Sequence, residues 1–138
     1  MNRVLADTGP FVAVLSPNDQ FHEECVAALR LIDPPLYTCW PVLTEAAWLL
    51  RSDPGAVEAL MLAGGGGLYK ILTLDEEDAE GIAKILKQYR NLKAQLADAA
   101  LVYLARREGI ETVFTLDQRD FRIYRSGAGR AFRIIPSL

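Results

Sequence analysis

The sequence predicts an α/β fold built on a mainly parallel sheet. Three observations carry that expectation. Short apolar runs recur at residues 3–6, 36–40, 69–74 and 112–115. Between them lie stretches with apolar residues at three- and four-residue spacing, the period of a helix packed on one face. Three of the runs lead at once, or one residue later, into a carboxylate, at Asp7, Asp75 and Asp117. Strands that alternate with helices imply parallel pairing, right-handed crossovers and helices on both faces of the sheet.

Residues 3–6 read as a buried strand whose end delivers Asp7 to the sheet rim, where ligands bind in open α/β sheets. Gly9-Pro10 then suits a helix entrance, and the apolar residues 8–15 predict one or two helical turns. Ser16-Pro17-Asn18-Asp19 is a turn and cap cluster. It opens a helix over 20–32 carrying Phe21, Cys25, Ala28, Leu29 and Ile32, and Asp33-Pro34-Pro35 stops it. The aromatic run 36–40 predicts a second strand, and Pro41 starts a helix to about Arg51. Asp53-Pro54-Gly55 breaks the chain before a short helix over 56–63 that ends at four glycines.

Residues 69–74 predict a third strand. Asp75-Glu76-Glu77-Asp78 suits the positive end of a helix dipole, and Ile82, Ile85, Leu86 and Tyr89 continue that helix with an apolar stripe. An alanine- and leucine-rich helix runs over 98–108 and is closed by Gly109. Residues 112–115 form a buried strand with its exit at Leu116-Asp117, and 132–135 add a last short strand.

At 138 residues the chain is one domain, 1–138, large enough for a core. No run of about 18 apolar residues occurs, so no membrane span is expected. An acid at position 7 comes too early for a signal peptide, and a cytoplasmic protein is expected. Cys25 and Cys39 match no zinc spacing and read as reduced core thiols. The net charge of −3 does not advertise a nucleic-acid binder. Its distribution is uneven, however. After Asp117 come Arg119, Arg122, Arg125, Arg130 and Arg133 against one acid, Asp120. That tail suits a polyanionic substrate, or simply places arginines on the solvent side of edge strands.

Four acids sit where solvation explains little: Asp7, Glu45, Asp98 and Asp117. Glu45 lies in a helix with few other polar positions, and Asp98 stands between Leu96-Ala97 and Ala99-Ala100. A lone carboxylate in such surroundings is costly to bury, and several together repel unless a cation neutralises them. A hard ion such as Mg²⁺ or Mn²⁺, which takes oxygen ligands, meets that need. Taken singly, Asp98 also fits a helix cap and Asp7 and Asp117 fit turns after strands. Thr8 and Thr115 are hydroxyls placed to orient the acids, or ordinary strand-end donors. His22 reads as a metal or catalytic residue or as an exposed helix position. The glycine run before Lys70 lacks the Gly-Lys-Ser/Thr ending of a phosphate-binding loop. A phosphatase built on two aspartates two apart is disfavoured by Gly9.

Asp7-Thr8-Gly9-Pro10, Thr44-Glu45-Ala46, Leu96-Ala97-Asp98-Ala99-Ala100-Leu101 and Thr115-Leu116-Asp117-Gln118-Arg119-Asp120-Phe121 together resemble PIN-domain proteins, VapC-like toxins in particular. The match spans nearly the whole chain. The resemblance implies a three-layer α/β/α sandwich and an Mg²⁺- or Mn²⁺-dependent endoribonuclease that hydrolyses RNA with a metal-activated water. It implies Asp7, Glu45, Asp98 and Asp117 as the catalytic acids, with Asp7, Asp98 and Asp117 on the metal and Asp120 assisting. Thr8 and Thr115 support them. His22, within Asn18-Asp19-Gln20-Phe21-His22, is implied near the site entrance, and Arg119 and Arg122 at flanking phosphates. A small antitoxin and a homodimer are the implied partners. Where similar proteins carry a further acid before the Asp98 helix, this chain has Asn91 or other neutral residues. A PIN-like module that binds RNA or protein without catalysis is the alternative.

Overall fold

A computed structural model describes residues 2–138. Its five strands are β1 (Val4–Ala6), β2 (Leu36–Thr38), β3 (Tyr69–Ile71), β4 (Thr112–Phe114) and β5 (Arg133–Ile135). They form one sheet in the order β3-β2-β1-β4-β5, with every pairing parallel. All residues of β1 and β4 are buried. That is the pattern of central parallel strands covered on both faces, which read as unbroken apolar runs. Leu5 pairs with Tyr37 on one side and Val113 on the other.

Seven α-helices among the described residues connect the strands: α1 (Thr8–Leu15), α2 (His22–Leu31), α3 (Trp40–Leu49), α4 (Pro54–Gly65), α5 (Ala79–Gln88), α6 (Leu96–Glu108) and α7 (Gln118–Phe121). Helix α1 packs on α2, α3 and α4, while α5 pairs with α6, giving the layered α/β/α arrangement. Helix α6 buries Ala97, Ala99, Ala100, Leu101, Val102, Leu104 and Ala105. Small side chains on several of its faces let neighbours approach closely from more than one side. On the α5 side the approach is closest at Gly81, where a Cβ would come within 2.4 Å of the Tyr103 ring. The Tyr103 hydroxyl donates to Asp78 Oδ1 at 2.5 Å, and Arg107 lies 3.3 Å from the same oxygen. Cys25 and Cys39 are buried and unpaired, and burial pushes both thiols up to about 11.

Element boundaries depart from the sequence reading for identifiable reasons. The second strand stops at Thr38 because Cys39 caps a helix that Trp40-Pro41 begin. The third strand stops at Ile71: the Leu72 N–H reaches the Thr38 carbonyl, and beyond it β2 offers no partner. Helix α4 starts two residues early because the Asp53 carboxylate caps the Ala56 N–H. It takes in Gly64, where a Cβ would meet the Tyr69 ring at 2.9 Å. The helix expected from Asp98 begins at Leu96, capped by Gln95. Helix α7, after β4, was not expected as a helix.

Gly81→Ala drives a methyl into a ring that Asp78 holds in place. Overpacking of this kind costs about 1–3 kcal/mol, against a helix-propensity gain below about 1 kcal/mol. A net loss of about 1–2 kcal/mol is expected in urea unfolding followed by circular dichroism. A variant as stable as the parent would show that the ring yields freely.

Candidate active site

The chain order reverses at β1: β2 and β3 lie on one side, β4 and β5 on the other. In open α/β sheets the crevice at the carboxyl ends of the strands, at such a switch, is where ligands bind. Asp7 leaves β1 there and Asp117 follows β4. The two exits run close together, since a Cβ on Gly9 would lie 3.2 Å from Leu116 Cβ.

Asp7 is only 5% exposed. Its Oδ2 accepts a hydrogen bond from Thr115 Oγ1 at 2.7 Å. The same Thr115 oxygen accepts the Asp117 backbone N–H at 2.9 Å, so one hydroxyl ties the two strand exits together. Glu45 comes from α3, whose buried side is Val42, Leu43 and Ala46. Glu45 Oε1 accepts from Thr8 Oγ1 at 2.6 Å, which fixes the acid at the edge of that buried side. Asp98 is not the cap of α6. It is the third helical residue, and its Oδ2 accepts the Gln95 N–H at 3.1 Å in a reciprocal capping box. Asp120 sits three residues after Asp117 on α7, on the same side of the helix.

Asp7, Thr8, Glu45, Asp98, Asp117 and Asp120 line one cavity of about 420 Å³. Gly9, Leu49, Lys93, Gln95 and Leu116 complete its wall. Burial pushes Asp7 up to about 7, with Asp98 and Asp117 adding to the rise and the Thr115 and Thr8 hydrogen bonds opposing it. Asp98 is pushed up to about 6, first by burial and then by the charges of Asp117, Glu45 and Asp120, against the Gln95 bond. Asp117 is raised by burial and by Asp120. Among the described residues Lys93 is the one cation in the wall. The acids therefore lack a counter-charge at their centre.

This donor set fits a hard divalent cation. Glu45 and Asp98 each commit one oxygen to a fixed hydrogen bond, leaving a second for a cation or a water. No three His, Cys, Asp or Glu side chains among the described residues stand together as a ready-made cage. Mg²⁺ does not require one, because it retains several waters and is commonly held by one or two carboxylates.

Other sequence candidates lie elsewhere. His22 is half-buried with Nδ1 2.7 Å from the Ala13 carbonyl, and it does not line the cavity. Arg119 and Arg122 are exposed on α7 and at its C-cap, outside the wall. Of the tail arginines, Arg130 pairs with Glu111 at 2.8 Å. The sequence reading missed Leu49, Lys93 and Gln95. Only Gln95 left a trace, as half of a Gln-x-x-Asp capping pattern before an apolar helix. Lys93 enters through a left-handed backbone, φ 55°, that its residue type does not announce.

The sequence model of one family, described as PIN domain, matches residues 4–126. Among curated proteins, Ribonuclease VapC26 of Mycobacterium tuberculosis (strain ATCC 25618 / H37Rv) is 29% identical over 140 residues, spanning 96% of this chain and 100% of the relative. Among solved structures, the Mycobacterium tuberculosis VapC20 crystal structure, described as a sarcin-ricin loop cleaving toxin, matches with a TM-score of 0.73. That match covers 80% of this chain and 86% of the other at 19% identity, a likeness of fold.

The raised acids set a pH signature. An aspartate whose folded pKa rises from 3.8 to about 7 holds its proton more tightly in the folded state. Its contribution to stability is complete below the unfolded value and is lost as pH rises through about 7. Asp98 behaves alike up to about 6. Metal-free protein is therefore expected to melt at a higher temperature at pH 5 than at pH 8. Added Mg²⁺ should raise the Tm more at pH 8, where the acids are charged, than at pH 5. Asp7→Asn should stabilise the metal-free protein at pH 8 by roughly 1–3 kcal/mol and shrink the Mg²⁺ response. A melting temperature that is flat across this range, with and without Mg²⁺, would contradict the electrostatic account.

Proposed function

The chain belongs to the PIN-domain family, and from that premise we propose that it is a divalent-metal-dependent endoribonuclease, the toxin of a VapBC-type toxin–antitoxin pair. The observation that supports this most directly is the buried Asp7 at the sheet's switch point, sharing one cavity with Glu45, Asp98, Asp117 and Asp120. The name of its relative, Ribonuclease VapC26, supports RNA as the substrate. The partners in this reading are an RNA substrate, a small antitoxin and a second copy of the chain.

Asp7, Asp98 and Asp117 hold Mg²⁺ or Mn²⁺ in this assignment. When bound, such an ion supplies Lewis-acid polarisation of the scissile phosphate and a water of lowered pKa. Thr115 holds the Asp7 carboxylate and the Asp117 backbone at the start of α7 in one arrangement. Thr8 holds Glu45, whose free oxygen is available to accept a proton from the attacking water. Asp120 reinforces Asp117 across one turn of α7. Arg119 and Arg122, exposed and outside the cavity wall, are assigned to phosphates flanking the cut. His22 has no part in this scheme, because it does not line the cavity.

Purified protein, tested on a mixed RNA pool with Mg²⁺ or Mn²⁺, should cut RNA and stop cutting when the ion is chelated. Asp7→Asn and Asp98→Asn should each lower cleavage at least about 100-fold, the scale on which single groups contribute to such sites. Folded protein that binds the ion and cuts nothing would favour the binding-module reading. Cleavage that survives both substitutions would move the site elsewhere.

A further inference from the structure

Both tryptophans of the chain, Trp40 and Trp48, lie on α3 and are 55% and 63% exposed. They occupy i and i+8 with exposed Thr44 between them, so they share one solvent-facing stripe of the helix. Large aromatic rings seldom stand this open on a surface without a partner. Trp48 is three residues from Glu45 and adjacent to Leu49, and both of these line the acidic cavity. The Arg51 guanidinium lies 3.8 Å from the centroid of the Trp48 ring, and its Nη1 donates to the Trp48 carbonyl at 2.8 Å. Among the described residues Arg51 forms no ion pair. The nearby Asp53 carboxylate is occupied with the Ala56 N–H.

We infer that Trp48, stiffened by Arg51, is a stacking platform for an unpaired base of the RNA strand next to the one whose phosphate enters the acidic cavity. Indole is flat and rigid; the Arg51 guanidinium covers one of its faces, which leaves the opposite face for a base and supplies positive charge that a phosphate backbone seeks. The cavity floor is acidic and repels the backbone wherever a cation does not intervene, so affinity for the strand must come from its rim. Lys93 stands in the cavity wall, while Arg51 lies beyond Leu49, placed for the strand as it leaves. A single-stranded or looped substrate has the splayed bases this requires, whereas a duplex keeps them stacked on one another. Continuity with the cavity through Leu49 and the unpaired Arg51 charge favour a nucleic acid on this stripe over an apolar protein segment.

The inference rests on the ribonuclease reading, and the test separates the two. Trp40→Phe leaves Trp48 as the sole tryptophan, so fluorescence reports that ring alone. The protein is titrated with an oligoadenylate of about 12 nucleotides, within the usual range of single-strand sites, and with an abasic ribose-phosphate strand of equal length. Ca²⁺ replaces Mg²⁺ so that the strands stay whole. Oligoadenylate is expected to quench Trp48, and the abasic strand is not. Trp48→Ala should weaken oligoadenylate binding roughly 5- to 150-fold, leave abasic binding and the Tm unchanged, and be largely rescued by Trp48→Phe. In Mg²⁺ the same substitution should raise KM for RNA and spare kcat.

Equal quenching by both strands, or none, would overturn the platform. So would Trp48→Ala protein that keeps its RNA affinity and KM but no longer binds the antitoxin, since the stripe would then be a protein-docking face. Quenching by oligoadenylate in a protein that cuts no RNA would support the platform and remove the ribonuclease reading. RNA cleavage without quenching would do the reverse.

Discussion

The hydrogen bond from Thr115 to Asp7 is the interaction on which the site depends. It joins the exits of β1 and β4, the two strands buried on both faces, at the place where the strand order reverses. The acid it holds is out of water, so hydroxyl and backbone donors, rather than solvent, must offset the cost of its charge. They offset only part of it, since the carboxyl still sits at about 7. The remainder is a standing electrostatic strain that a divalent cation would relieve. The same strain makes the pocket selective for positive charge before any ligand geometry is considered.

Around that bond, each further acid is fixed by a local device already needed for folding. Asp98 belongs to the capping box of α6. Glu45 sits at the boundary of the buried side of α3 and is held by Thr8. Asp117 and Asp120 stand one helical turn apart on a helix that begins as β4 ends. None of these carboxylates needs a dedicated loop. The cluster is a by-product of where two strands end and α6 and α7 begin, joined by one mid-helix position on α3.

Much of this was legible in the residues. The buried strands before Asp7 and Asp117 announced themselves as apolar runs that end in acids, and alternation with helical periods gave the parallel sheet. Glu45 stood out because a mid-helix acid among apolar neighbours has no cap or turn to serve. Other features depended on tertiary partners that no local pattern encodes. The third strand is short because β2 runs out, although Leu72 and Leu74 look just as strand-like. Gly64 and Gly81 lack a side chain within their helices because rings from other elements occupy the space it would take. Lys93 reaches the cavity by a left-handed turn. The four-acid motif pointed to a site, but the choice between Asp98 as cap and Asp98 as wall had to wait for Gln95.

The span of the Thr115–Asp7 bond has a consequence for when the acidic cavity is assembled. Its partners are 108 residues apart in sequence. Closing so long a loop carries an entropic cost that local helices cannot offset, and contacts of such range form late. A chain still emerging from the ribosome, before Thr115 has been made, has Asp7, Glu45 and Asp98 but nothing to lock the first of them in place. The cavity acquires its fixed shape only once β4 has slid in beside β1.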